Sequence, residues 1–136
     1  MSLSADDVQA LLKNRQTRDA RLSEEQQAAN KALMMELMAD EDKRNAMMAQ
    51  SADNFKACDV DGDGELNWEE YLAFGKLSNE KAAEKGWATS DLIESEVAEM
   101  FELHKRASGS TTGVTGEGLK TAMAAVGAAM KAAAGQ

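Results

Sequence analysis

The stretch that decides the fold is Asp59–Glu70, which reads DVDGDGELNWEE. It matches the pattern D-x-[DN]-x-[DN]-G-x5-E at every fixed position. Carboxylates stand at the alternate positions Asp59, Asp61 and Asp63, and Gly64 stands where the chain must turn sharply. A hard divalent cation takes roughly six to eight oxygen ligands, which alternating carboxylates on a tight turn supply. The pattern therefore predicts a loop that wraps one calcium ion.

Each predicted ligand has its own role in this loop. The three aspartates give side-chain oxygens, Glu65 gives its backbone carbonyl, and Asn67 ligates directly or holds a bridging water. Glu70 lies in the first turn of the next helix, from which its longer side chain reaches back with both oxygens. Ca2+ is the expected ion, with Mg2+ as a competitor. The predicted ligands are Asp59, Asp61, Asp63, Glu65, Asn67 and Glu70.

The stretch from Met47 to Leu77 resembles the EF-hand superfamily of calcium-binding proteins, which includes calmodulin and parvalbumin. Phe55 falls four residues before the first ligand and Phe74 four residues after the last. In that superfamily these positions pack the two helices against each other. The resemblance implies a complete EF-hand, a helix–loop–helix unit, over residues 47–80.

A second, degenerate EF-hand is predicted over residues 90–134. Aligning Val114 with Leu66 makes Ala107 the first and Gly118 the last residue of a second loop. No carboxylate then occupies the first, third, fifth or twelfth position, so we expect this loop to bind no calcium. Its expected role is structural, with Val114 paired to Leu66 across the two loops.

The spacing of the two hands leaves the pairing geometry open. The 36 residues between Glu70 and Ala107 exceed what a tight pair needs. Pairing of loops from two chains, in a homodimer, is therefore an alternative to pairing within one chain.

Composition predicts an all-α fold. The chain has 136 residues and no proline, while alanine and methionine, both strong helix formers, are abundant. We expect one domain over 1–136, with additional N-terminal helices in 1–46 before the EF-hand pair. Leu22–Glu25 resembles the end of another loop, so residues 1–46 are a candidate for a vestigial hand that covers the pair.

Local signals predict several helix boundaries. Ser23 forms a capping box with Gln26, and Gly86 ends either the helix after the predicted calcium loop or the linker that follows this helix. The charged patch Asp40–Arg44 is expected to interrupt the helices before that loop. Hydroxyl residues that can accept from free backbone N–H groups are predicted N-caps. They are Ser4, Ser23, Ser90 and Thr115.

Charge and cysteine content indicate the compartment and the partners. The net charge of −9 repels nucleic acids and anionic lipid but suits a cation or a basic partner. Cys58 is the only cysteine, so a reducing compartment is the simpler assumption. The first residues show no apolar signal region, and no apolar run has transmembrane length. We expect a cytoplasmic protein.

The sequence favours a binding protein over an enzyme. It shows no pairing of a nucleophile with a base, and His104 is expected to be a packing residue. Nine methionines fit either ordinary core packing or a groove for a target helix. The leading interpretation is a regulatory calcium sensor that alters its helix packing to engage an unidentified protein target. The alternatives are a calcium buffer with little conformational change and a structural or assembly subunit with a stabilising calcium site.

Overall fold

A computed structural model describes residues 3–134 of the chain. Within this range the chain forms helices and one short two-stranded sheet, so the predicted all-α class is confirmed. None of the helices described here combines the length and apolar character that crossing a membrane requires. In chain order the elements are α1 (Ala5–Asp19), α2 (Glu24–Ala39), α3 (Glu41–Cys58), β1 (Glu65–Leu66), α4 (Trp68–Glu84), α5 (Glu94–Ser108), β2 (Val114–Thr115) and α6 (Gly116–Ala134).

Three of the four predicted N-caps are confirmed. Ser4 and Ser23 each form a reciprocal capping box, Ser23 with Gln26 as predicted. Thr115 Oγ1 accepts from the N–H of Gly118 at 3.0 Å, at the start of α6. Each hydroxyl satisfies a backbone donor that has no partner within its own helix, which fixes the first turn.

The predicted interruption at Asp40–Arg44 is wrong in extent, because the break between α2 and α3 is confined to Asp40. Its Oδ1 accepts from the N–H groups of Asp42 and Lys43, so Asp40 is the N-cap and the patch after it is helical. The guanidinium of Arg44 then donates to the carbonyls of Leu37 and Met38 at the end of α2. The charged patch therefore caps both helices at their junction.

The segment between α4 and α5 corrects another prediction. Gly86 follows the end of α4 with φ +95°, as expected for a residue that stops a helix. Ser90, however, caps nothing, since α5 begins only at Glu94 and Ile93 stands at its N-cap position. Arg21 and Asn79 donate to the carbonyls of Asp91 and Ser90 and hold this stretch extended. Tertiary contacts therefore outweigh the local capping signal.

The two short strands join the two predicted loops. β1 and β2 pair antiparallel, with Leu66 opposite Val114 and Glu65 opposite Thr115. Leu66 and Val114 are fully buried. The predicted pairing of Val114 with Leu66 is therefore confirmed, and it occurs within one chain.

Two groups of buried side chains form the core. The larger surrounds the sheet and joins α3, α4, α5 and α6. It consists of Cys58, Leu66, Tyr71, Val97, Phe101, Val114 and Leu119. The smaller group fastens α1 to α5 and α6. It consists of Leu11, Leu103 and Ala122.

Polar contacts add to the docking of α1. The side-chain amide of Asn14, which is buried, donates to the Glu96 carbonyl and to the Glu99 carboxylate on α5. The guanidinium of Arg21 makes two 2.7 Å hydrogen bonds to the carboxylate of Glu96. α1 is thus held by both apolar and charge-assisted contacts.

α2 differs from the other helices because none of its residues, 24–39, is buried. Its main partner is α3, and its N-terminal half is tied to the segment after α4. There the side-chain amide of Asn30 donates to the Ala88 carbonyl and accepts from the Ala88 N–H, each at 2.9 Å. α2 therefore stands at the margin of the core.

Candidate metal centre

The predicted calcium loop lies between the end of α3 and the start of α4. Gly62 and Gly64 have φ values of +68° and +84°, in the left-handed region that favours glycine. Gly64 therefore makes the sharp turn that the pattern predicted. The aromatic rings of Phe55 and Phe74 pack edge to face where α3 contacts α4, with 6.3 Å between the ring centroids.

The loop brings three predicted ligands together. One carboxylate oxygen from each of Asp59, Asp61 and Asp63 lies within 4.8 Å of the others. Asp59 is half-buried, whereas Asp61 and Asp63 are exposed. Backbone N–H groups of the loop stabilise the turn: Gly64 donates to Asp59 Oδ2 at 3.0 Å, and Glu65 donates to Asp63 Oδ1 at 2.9 Å. Three like charges are thereby held around one small volume.

Asp59 provides the clearest sign that the cluster suits a cation. Its Oδ1 is buried and has no hydrogen-bond partner among the described residues. A buried polar atom without a partner is unfavourable, and an ionised one more so. A hard cation with oxygen ligands would satisfy this atom and neutralise its neighbours. The donor set therefore fits a calcium-type ion.

The protonation of Asp61 reflects the same crowding. The backbone N–H of Asp63 lowers the pKa of Asp61, but desolvation, Asp63 and Glu70 outweigh it and raise this pKa above its ordinary value. A raised pKa means that the ionised form is disfavoured by its surroundings. A bound cation would reverse this effect.

Two of the remaining predicted ligands have other partners. The Asn67 side-chain oxygen accepts from the Glu70 N–H at 2.9 Å and so caps α4. The Glu70 carboxylate is buried and lies outside the aspartate cluster. Its Oε1 accepts from the Asn67 N–H at 3.0 Å, and its Oε2 accepts from the Val60 N–H at 2.8 Å. Both carboxylate oxygens of Glu70 therefore close the loop by accepting hydrogen bonds from backbone N–H groups of other loop residues.

Glu65 is oriented toward the second loop. Its backbone pairs with Thr115, and its Oε1 accepts from the hydroxyl of Thr112 at 2.7 Å. The side chain of Glu65 is thus engaged away from the aspartate cluster, as expected for a residue that contributes its carbonyl. Sequence reasoning did not single out Thr112 as a contact of the predicted calcium loop. The only sequence signal for this contact was the alignment of the two loops, because Thr112 lies two residues before Val114, the residue aligned with Leu66.

Tyr71 of α4, the residue after Glu70, forms a buried aromatic pair with His104 of α5. Tyr71 Oη and His104 Nδ1 lie 2.6 Å apart, and both side chains are buried. Burial lowers the pKa of His104 to about 4, and burial raises the pKa of Tyr71. A neutral phenol and a neutral imidazole therefore share this hydrogen bond at pH 7. The prediction that His104 is a packing residue is confirmed by its burial.

Cys58 also faces the core, next to the first loop residue. Burial, assisted by the charge of Glu70, raises the pKa of its thiol. The thiolate, which is the reactive form, is therefore disfavoured at neutral pH. Cys58 is therefore a buried core residue with a disfavoured thiolate.

Comparison with known proteins finds no match, whether among protein-family models, curated proteins or solved structures. The function of this chain is therefore inferred from its own residues and geometry.

Proposed function

We propose that this chain is a calcium-binding protein of the EF-hand superfamily. In this proposal the complete hand binds one Ca2+ through loop 59–70, and the degenerate hand supports it. The ligands would be the carboxylates of the three clustered aspartates and Glu70, the backbone carbonyl of Glu65, and Asn67 directly or through water. Mg2+ would compete for the same oxygens.

The observation that carries the proposal is the unpartnered, buried Oδ1 of Asp59 within a cluster of three carboxylates. An acidic surface turn would leave its oxygens in water, where each is solvated. Here the turn is closed by Gly64, paired through β1 and packed between two helices, which holds the carboxylates together against their repulsion. Binding of a cation would convert that repulsion into attraction.

We further propose that the chain is a regulatory sensor with a protein target. Its support is the surface of the consecutive helices α2 and α3, where methionines lie outside the core. Met35 and Met38 are 63% and 60% exposed, and Met48 is 52% exposed. Methionine is flexible and polarizable, so such a surface adapts to a partner's apolar side chains. α3 is also the helix that leads into the calcium loop, so a change at Asp59 would reach this surface directly.

The binding claim is tested by isothermal titration calorimetry with Ca2+ in buffer that contains physiological magnesium. We expect one site per chain. Asp59→Asn removes the charge of one of the three clustered carboxylates. It should weaken calcium binding about tenfold or more, which corresponds to about 1.4 kcal/mol. Asp53→Asn is the matched control, because Asp53 is an exposed residue of α3 outside the loop. Wild-type protein that takes up no calcium would contradict the proposal.

The sensor claim is tested by an amide NMR titration of the same protein. Shifts that spread from Gly64 into α2 and α3 would support a sensor whose methionine surface responds to calcium. Shifts confined to the two loops would favour a buffer or a structural site. A chain that is unfolded without calcium would indicate the structural site, because binding energy is then folding energy.

A further inference from the structure

The part of the second loop that runs from Ser108 to Thr115 is closed by its own side chains. The hydroxyl of Ser108 donates to the His104 carbonyl at 2.8 Å, one turn back in α5. The same oxygen accepts from the N–H of Thr115 at 2.9 Å. Ser110 Oγ accepts from the N–H groups of Thr112 and Gly113 within the loop. Closure of this loop therefore needs no ion.

In the second loop the Ser108 hydroxyl accepts the hydrogen bond that the Glu70 carboxylate accepts in the first loop. Thr115 aligns with Asn67, whose N–H donates to Glu70 Oε1 at 3.0 Å. In the second loop the corresponding N–H donates to the Ser108 hydroxyl instead. Gly118 stands at the position of Glu70, and a Cβ there would collide with the Ser108 hydroxyl and lie 2.7 Å from its Cα. The absence of a side chain at 118 is thus what admits Ser108.

This closed loop bears directly on the calcium loop at Glu65. Thr112 Oγ1 donates to Glu65 Oε1 at 2.7 Å. Gly113 lies so close that a Cβ on it would be 2.7 Å from the Leu66 carbonyl and 3.0 Å from Glu65 Cβ. With the backbone of Glu65 paired to Thr115, this residue is fixed on both its main chain and its side chain.

We propose that the second loop is a metal-independent template that holds Glu65 in place for cation binding by the first loop, with Thr112 and Ser108 as positioning residues. The inference rests on the proposed function. Its physical basis is preorganisation: a ligand that is already ordered loses less conformational freedom when the cation binds, so affinity rises without a new contact to the ion. Thr112 would act through Glu65, whose carbonyl is the predicted ligand.

The test compares three variants by calcium calorimetry and by thermal unfolding of the calcium-free protein. Thr112→Val removes the hydroxyl at constant shape and should weaken calcium binding about 3- to 10-fold, the range of one hydrogen bond. Thr111→Val is the matched control, since Thr111 is an exposed neighbour with no hydrogen bond among the described residues. Thr112→Ser keeps the hydroxyl and should bind calcium within about twofold of the wild type, because the donor to Glu65 remains.

The outcomes show whether Thr112 positions Glu65 for calcium binding or only stabilises the fold. The proposal requires weaker binding by Thr112→Val with a calcium-free melting temperature close to that of the wild type. Unchanged affinity would overturn it, as would a parallel loss of affinity and stability that Thr112→Ser does not restore. Wild-type protein without any calcium binding would instead defeat the proposed function, so the two failures are distinguishable.

The closure by Ser108 has its own readout, which is hydrogen exchange of the Thr115 amide in calcium-free protein. Ser108→Ala removes the acceptor of that amide, so its exchange should be about tenfold faster, as expected for one hydrogen bond. The Gln26 amide, which donates to the Ser23 hydroxyl at the start of α2, is the internal reference. Equal exchange of Thr115 in the variant and the wild type would overturn the template's closure.

Discussion

The carboxylate of Glu70 accepts a 2.8 Å hydrogen bond from the backbone N–H of Val60, so the last residue of loop 59–70 holds the second residue of the same loop. Its other oxygen accepts from the N–H of Asn67. Glu70 therefore has two roles: its carboxylate closes the loop through two backbone N–H groups, and it is the predicted bidentate ligand for the cation. These roles lead to different, separately measurable effects.

Replacing Glu70 by glutamine should affect both roles. Glutamine has one acceptor oxygen in place of two, so either Val60 or Asn67 loses its partner, and the calcium-free protein should lose about 1 kcal/mol of stability. Calcium affinity should fall at least about tenfold. Urea unfolding without calcium and calorimetry with calcium measure the two effects.

The matched control is Glu69→Gln, which makes the same chemical change at an exposed position of the same helical turn. It should leave both stability and affinity close to the wild type. Equal unfolding midpoints for the two glutamine variants would contradict the loop-closing role of Glu70.

Asp59 should show the opposite combination of effects. Asp59→Asn removes a charge from a cluster of three carboxylates, one oxygen of which is buried without a partner. We therefore expect the calcium-free protein to gain about 0.5–1 kcal/mol in stability while calcium binding is weakened. Denaturant unfolding in the presence of a chelator checks this. A destabilised Asp59→Asn protein, beside an unaffected Asp53→Asn control, would show that the cluster is not strained.

The buried His104 should make stability depend on pH. Its pKa is lowered to about 4 in the folded chain, by burial first and by the charge of Arg18 second, against about 6.5 in an unfolded chain. The unfolded chain therefore binds a proton at a higher pH than the folded chain. The stability that neutral His104 contributes is complete above pH 6.5 and is lost progressively as the pH falls toward 4.

Between pH 7 and pH 5 this linkage amounts to about 2 kcal/mol of lost stability. His104→Gln removes the titrating group while it keeps a polar partner for Tyr71, so the difference between the two proteins reports His104 alone. Urea unfolding of wild type and variant at several pH values isolates the effect. Identical pH slopes for the two proteins would refute it.

The parts of the fold that sequence predicted well depend on local chemistry. Loop 59–70 makes its sharp turn at Gly64, and alignment of the two loops by Leu66 and Val114 predicted the strand pairing. Ser4 and Ser23 cap their helices because the acceptor and the donors lie within four residues of each other. Such interactions are complete in a short window of sequence.

The parts that sequence missed depend on residues far apart in the chain. Ser90 has the chemistry of an N-cap, yet its segment is held extended by Arg21 and Asn79. The contact between Thr112 and Glu65 spans 47 residues. On α6, Leu119 and the small Ala122 are buried, whereas the larger, apolar Met123 next to Ala122 is exposed. Which face of α6 is buried depends on the helices that pack against it, and α1, one of these helices, lies far away in the sequence.

The two N-terminal helices should differ sharply in their contribution to stability. Leu11 of α1 is buried against Leu103 and Ala122, whereas Leu33 of α2 is only half-buried on a helix without buried residues. Leu11→Ala should therefore cost about 2–3 kcal/mol through lost burial and a residual cavity. Leu33→Ala makes the same change in another helix and should cost less than about 1 kcal/mol. Chemical unfolding in a chelator measures both costs. Equal losses would show that α2 belongs to the core, and its exposed methionines would then no longer be available as a surface for a partner.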